Sequence, residues 1–331
     1  MFQTEIILFL QSFASEFLTS FFNFISNITE HAGTMPLMLL ILFGVSFRLG
    51  FILVHVVLWN GLITGYLKNY FGLPRPCGVD SAVSRLDKGI PNPTPFKSMG
   101  AKSFFGGLPQ EPIEYFRTHQ IDTFGFPSGH TSRATASWGS LFMFFKKTWV
   151  RIISVVFIIL VPLSRVYLGR HFLVDVLGGY LVGFAVFLVF YTFVFRKNKL
   201  KAYVFEKLGK FRFDLKSIFF LTYFLVIPFF LPFLPNTNLR YSASLLGVNL
   251  GFMLLWMRGI PNDEGHLFQR IARVFIASVF YFGVSTALEK GAGLLFGGVP
   301  IAVEFVRQTL AFFLVIWGST EVSIKLGFFK R

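Results

Sequence analysis

Apolar runs separated by short polar breaks set the layout of the chain. They fall at about 35–47, 49–67, 132–145, 150–164 and 172–195, and, after a basic stretch, at about 218–234, 241–257, 271–288 and 308–324. Some are shorter than the roughly 20 residues that cross a bilayer, so they are expected to extend into flanking polar residues or to tilt. The pattern predicts about nine spans, a block of five followed by a block of four. Residues 5–28 place Phe and Leu at helical spacing with Gln11, Ser12, Ser15, Glu16 and Ser20 between them, a texture that predicts one helix lying in the membrane interface. The expected fold is an all-α polytopic transmembrane helix bundle. Its expected parts are an interfacial segment 1–30, a core 31–195 with a long loop 74–130, a basic linker 196–217 and an accessory four-helix block 218–331.

Composition supports a membrane chain. Of 331 residues, 54% are hydrophobic and 14% charged, with 47 phenylalanines, whereas a soluble domain carries roughly a quarter charged residues. The net charge of +15 invites a nucleic-acid reading. The Lys and Arg residues sit in short loops between apolar runs, however, as membrane topology demands, and no nucleic-acid partner is expected. A single cysteine, Cys77, excludes an intrachain disulfide and a Cys-rich metal site. The first charges, Glu5 and Glu16, do not form the positive start of a cleaved signal, so the apolar segments are expected to be retained.

Loop charge also predicts orientation. If the spans alternate, Arg48, Lys146, Lys147, Arg151, the basic stretch 196–216, Arg258, Arg270, Arg273, Lys325, Lys330 and Arg331 share one face, which the positive-inside rule makes cytoplasmic. The loop 68–131 and the segment 165–171 then open to the periplasm, the cell exterior or an organelle lumen, and a bacterial inner membrane is the expected location.

Three polar clusters fall on that outer face. Lys68 closes one apolar run and Arg75-Pro76 follows; Pro127, Ser128, Gly129 and His130 precede the next run; Ser164, Arg165, Arg170, His171 and Asp175 separate the two after it. With helix from His171 onward, His171 and Asp175 stand one turn apart, close enough for the carboxylate to accept the imidazole N–H. Two histidines acting together suggest a nucleophile and a proton donor. Lys68, Arg75 and Arg165 match the non-bridging oxygens of a phosphoryl group, and Ser128 and Gly129 at a helix start add a hydroxyl and backbone N–H groups. Taken singly, each residue has a plainer reading: Lys68 as a snorkelling end of a span, His130 as a structural histidine, His171 with Asp175 as a structural pair. The joint order and spacing favour a phosphate site built without metal.

These motifs, Lys68 with Arg75-Pro76, Pro127-Ser128-Gly129-His130, and Ser164-Arg165 with His171 and Asp175, resemble the three-part signature of the type 2 phosphatidic acid phosphatase (PAP2) superfamily over roughly residues 35–195. The resemblance implies a PAP2-type core with four additional C-terminal spans, and a membrane phosphatase acting on lipid phosphate monoesters or pyrophosphates without a cofactor. It implies His171 as the nucleophile that forms a phosphohistidine, Asp175 as its orienting partner and His130 as the acid and base. Lys68, Arg75, Ser128, Gly129 and Arg165 would bind the phosphoryl oxygens.

Other readings use the same residues: a phosphotransferase that passes the group to an alcohol, a phospholipid binding or transport protein without catalysis, and, more remotely, a vanadate-dependent oxidant. Membrane lipids and a phosphorylated lipid are the expected partners. The final block is expected to form a wall for lipid access or an interface between identical copies. Arg170 is expected to line the site or pair with the outer loop. Asp122 and His119 are expected to be solvated loop residues. Gly178, Gly179, Gly183, Gly247 and Gly251 are expected to permit close helix packing, and Glu321 to snorkel at the interface.

Overall fold

The structure, a computed structural model, describes residues 2–88, 94–103, 106–119, 122–192, 215–296 and 300–331. Among these the chain is helical, with an isolated β-bridge between Asn262 and Lys330 and no strand. Most of the basic stretch expected as a linker lies at 193–214, outside the described residues. Among the described residues, five helices are long and apolar enough to cross a membrane: Phe47–Gly78, Thr148–Tyr167, Leu173–Phe190, Leu267–Phe296 and Ile301–Lys325. The runs at 35–47 and 218–234 form shorter apolar helices, Gly33–Val45 and Ser217–Phe233.

Compactness divides the chain into two units, one of Met1–Thr34 with Ile63–Val189 and one of Met35–Leu62 with Phe190–Arg331. The division is not sequential, because the run at 35–47 and the first half of the next helix group with the C-terminal block.

The first unit opens with α1 (Phe2–Gln11) and α2 (Glu16–Asn27) where a single interfacial helix was expected. The break has a local cause. Ser15 is extended and its hydroxyl accepts from Leu18 N at 3.2 Å, so it caps α2 and the chain cannot run through it as helix. Gln11 closes the other side, donating to Ser84 O at 2.8 Å and Tyr167 O at 3.1 Å and accepting from Ser84 N at 3.0 Å. Next come α3 (His31–Leu39) and α4 (Phe47–Phe71), both of which cross from one unit to the other. The long loop after α4 carries α5 (Gln110–His119), followed by α6 (Gly129–Phe144), α7 (Thr148–Tyr167) and α8 (Leu173–Phe190).

Two small residues bring α8 against α6. A β-carbon on Gly179 would lie 2.6 Å from Ser128 O and 2.8 Å from Thr131 Cβ; one on Gly183 would lie 2.8 Å from Thr135 Cβ and press into Ser132 O. Gly178 faces the Phe126 ring in the same way. The expectation of glycine-mediated packing therefore holds, and α6 and α8 carry candidate site residues. Gly179→Ala is expected to force the two helices apart at a cost of about 1–3 kcal/mol. A lowered Tm together with lost turnover would be the signature, and wild-type values of both would remove the role.

The second unit has its own polar and aromatic interior. His55 Nε2 lies 2.8 Å from Asn249 Oδ1, and Asn249 Nδ2 donates to Phe224 O at 2.9 Å. Phe51 stacks on Phe252 with centroids 4.0 Å apart. Gly247 and Gly251 of Leu239–Arg258 meet the backbone and side chains of 309–316, again as expected. Glu321 is paired with Arg258 and Arg331 instead of snorkelling alone. Arg273, expected as a loop charge, is buried: it donates to Phe328 O at 2.7 Å and lies 4.0 Å over the Phe329 ring.

Candidate active site

The segment between α7 and α8 forms the floor of the site. α7 ends at Tyr167, Gly169 takes a left-handed φ of +69°, and its backbone lies against Ser84 O where a side chain would collide. The turn returns Arg170 N and His171 N to Arg165 O at 3.0 and 3.3 Å. Beneath it Val166, Phe172 and Val176 pack with Ile7, Val79 and Val83 in an apolar cluster that ties α1, the loop after α4, α7 and α8 together.

His171 precedes α8 and does not lie on its face, as the sequence pattern had suggested. The contact with Asp175 forms all the same, because Asp175 stands in the first turn and reaches back. Its Oδ2 accepts from Phe172 N at 3.0 Å, half of a capping box, and lies 3.3 Å from His171 Nδ1. The other ring nitrogen, His171 Nε2, is 3.5 Å from Arg75 Nη1. A guanidinium can only donate, so Nε2 carries the lone pair and Nδ1 the proton. Both residues are buried, at 1% and 3% exposure. Burial, then Arg75, Lys68, Arg165 and His130, push the His171 imidazole well below its usual 6.5.

The cations are fixed by carbonyls more than by carboxylates. Lys68, near the end of α4, donates to Phe124 O at 2.7 Å and Gly125 O at 3.0 Å. Arg75 donates from Nε to Thr123 O at 2.7 Å, from Nη2 to Thr123 Oγ1 at 2.6 Å and from Nη1 to Arg170 O at 3.0 Å. Arg165, in the last turn of α7, donates from Nη1 to Ser26 Oγ of α2; its buried Nε has no hydrogen-bond partner among the described residues. An unmatched buried donor on a guanidinium is costly unless an anion meets it.

Ser128 caps α6, accepting from Thr131 Oγ1 at 2.9 Å, while its N–H donates to Asp175 O at 2.9 Å. Gly129 opens the helix beside Lys68, whose Cε would be 3.6 Å from an added β-carbon. Ser128, Gly129 and Lys68, three of the residues expected to meet phosphoryl oxygens, thus stand at one helix N-terminus, and the Ser128 N–H joins it to the backbone of Asp175, whose carboxylate holds His171. His130 follows in the first turn, its Nε2 3.1 Å from Glu30 Oε1. Burial, Arg165, Arg133, Arg75 and Lys68 lower its basicity well below the usual 6.5.

Several partners were not foreseen from the sequence. Thr123, Ser26 and Glu30 hold Arg75, Arg165 and His130 respectively, across separations that no local motif records. Asp122 is not a solvated loop residue. It pairs with Arg170 Nη1 at 2.9 Å, and Arg170 also meets Asp87 at 3.4 Å. Burial raises the Asp122 carboxyl, but Arg75, Arg170 and the Thr123 N–H more than offset this and hold it below the usual carboxylate range. His119 does remain exposed, stacked on Tyr115 with centroids 4.0 Å apart.

Residues 49–199 match the family described as the PAP2 superfamily. The phosphatidylglycerophosphatase B of Bacillus subtilis (strain 168) is 40% identical over 74 residues, 20% of this chain and 36% of that protein. The match thus spans little more than a third of that relative. No solved structure matches.

Proposed function

We propose, for a chain whose residues 49–199 belong to the PAP2 superfamily, that it is an integral membrane phosphatase hydrolysing lipid phosphate monoesters or pyrophosphates on the outer membrane face. The observation that carries the reading is the state of His171. Asp175 holds Nδ1–H at 3.3 Å, and the Nε2 lone pair meets the Arg75 guanidinium at 3.5 Å.

In this reading Nε2 attacks phosphorus, the phosphorus–oxygen bond to the lipid breaks, and His130 gives the departing alkoxide a proton. Asp175 stabilises the imidazolium character that develops on His171. His130 then takes a proton from water as the water attacks the phosphohistidine, and inorganic phosphate leaves. Lys68, Arg75 and Arg165, with the α6 N-terminus, meet the phosphoryl oxygens, whose charge is carried here by fixed cations. The relative's printed name supports phosphatidylglycerophosphate as one substrate to try. The loop-charge asymmetry supports the outward orientation.

The test is phosphate release by the purified full chain from phosphatidic acid, phosphatidylglycerophosphate, undecaprenyl pyrophosphate, sphingosine-1-phosphate and lipid A. Turnover of at least one, undiminished by EDTA, is expected. Saturable binding with no released phosphate would instead make this a binding protein, and phosphorylated product on an added alcohol would make it a transferase.

A further inference from the structure

The turn between α2 and α3 enters the site from outside the family segment 49–199. It is tied there three times. Ser26 Oγ accepts from Arg165 Nη1, Thr29 O accepts from Arg133 Nη1 at 2.6 Å, and Glu30 Oε1 meets His130 Nε2 at 3.1 Å. Thr29 Oγ1 donates to Ser26 O at 2.9 Å and closes the turn on itself. Glu30 is half exposed at the rim, whereas the ring it holds is mostly covered, at 51% and 19% side-chain exposure.

We propose that Glu30 is a positioning residue for His130, fixing the imidazole through its Nε2–H and favouring the protonated ring, so that His130 enters the reaction as an acid. The role rests on the phosphatase reading above. The groups facing His130 are Arg133 on its own helix, Arg165 from α7, His171 from the turn before α8, and Lys68 and Arg75 from the end of α4 and the loop after it, and the four cations among them repel a protonated ring. Against them stands the Glu30 carboxylate, in direct contact.

An alkoxide cannot leave well without a proton, so a ring surrounded by positive charge needs such a counterweight. With Nε2–H held by Glu30, the exchanged proton is the one on Nδ1. It passes to the lipid alcohol as the phosphorus–oxygen bond breaks, and is replaced from water as the phosphorus–nitrogen bond of the phosphohistidine breaks. Glu30 exchanges no proton in this cycle.

The test compares dodecyl phosphate, whose alkoxide needs protonation, with p-nitrophenyl phosphate, whose phenolate does not, using the full chain and its Glu30→Gln and Glu30→Asp variants. Glu30→Gln is expected to lower kcat on dodecyl phosphate by about 10-fold and on p-nitrophenyl phosphate by less than about 2-fold. Its alkaline limb on dodecyl phosphate should move to lower pH, and Glu30→Asp, which keeps the carboxylate, should recover part of both. Equal losses on the two substrates, or an unmoved limb, would overturn the role. Wild-type chain that releases phosphate from neither substrate would sink the phosphatase reading itself; a working wild type with an insensitive Glu30→Gln sinks only the role of Glu30.

Discussion

His171→Ala is expected to reduce phosphate release from lipid phosphates by about 10⁴-fold or more, because no neighbouring group can replace a nucleophile whose lone pair is already aimed. The geometry makes the loss specific. Asp175 fixes the proton on Nδ1, the Arg75 guanidinium at 3.5 Å requires the lone pair on Nε2, and both residues are buried. Rapid quench with ³²P-labelled phosphatidic acid should trap an acid-labile, base-stable phosphoenzyme in the wild type and none in the variant. Substantial turnover by His171→Ala would remove the nucleophile assignment. The pH dependence gives a second handle. Since burial and the surrounding cations lower the His171 imidazole, the neutral ring persists as pH falls through its usual 6.5, and the acid limb of kcat/KM should lie below that value. A limb above it would mean that the free ring is held protonated, contrary to its surroundings.

The candidate site was legible because its side chains are spaced along the chain near the ends of the elements that bring them together. Ser128 at a helix start and Lys68 near a helix end sit where the sequence pattern predicts, whereas His171 lies before α8 and meets Asp175 only because that carboxylate reaches back over the first turn. What stayed hidden were the partners that arrive by tertiary closure. Nothing in residues 26–30 marks Ser26 or Glu30 as neighbours of Arg165 and His130, since the contacts depend on α2 packing beside α7, where the Phe22 and Tyr167 rings meet at a tilt with centroids 4.7 Å apart. Likewise Asp122 reads as a loop acid until Arg170 is folded onto it.

Hydropathy was a partial guide to the helices for a related reason. It finds apolar surface but not backbone continuity, and so it predicts one helix through Ser15, where the backbone is extended and the hydroxyl caps the start of α2. Nor does it see grouping. The split of the chain at Leu62 and Ile63 falls inside α4, a single uninterrupted helix, where composition offers no boundary.

Arg75→Lys is expected to lower kcat/KM by about 100-fold to 1,000-fold, although the charge is conserved. The guanidinium makes three separate bonds at 2.6–3.0 Å, to Thr123 Oγ1, Thr123 O and Arg170 O, and these fix its plane while Nη1 faces His171. An ammonium on a flexible stem cannot span Thr123 and Arg170 together, so it leaves a buried carbonyl unmatched and loses the planar fork that suits phosphoryl oxygens. Thr123→Val removes one of the bonds and leaves the other two, so a smaller loss, about 10-fold, is expected. Inhibition by inorganic phosphate separates binding from packing. If Arg75 contacts the phosphoryl group, its Ki should rise in Arg75→Lys and stay near wild type in Thr123→Val. Turnover of Arg75→Lys within about 2-fold of wild type would show that positive charge alone suffices at this position, and that the fixed plane of the guanidinium contributes nothing to the transition state.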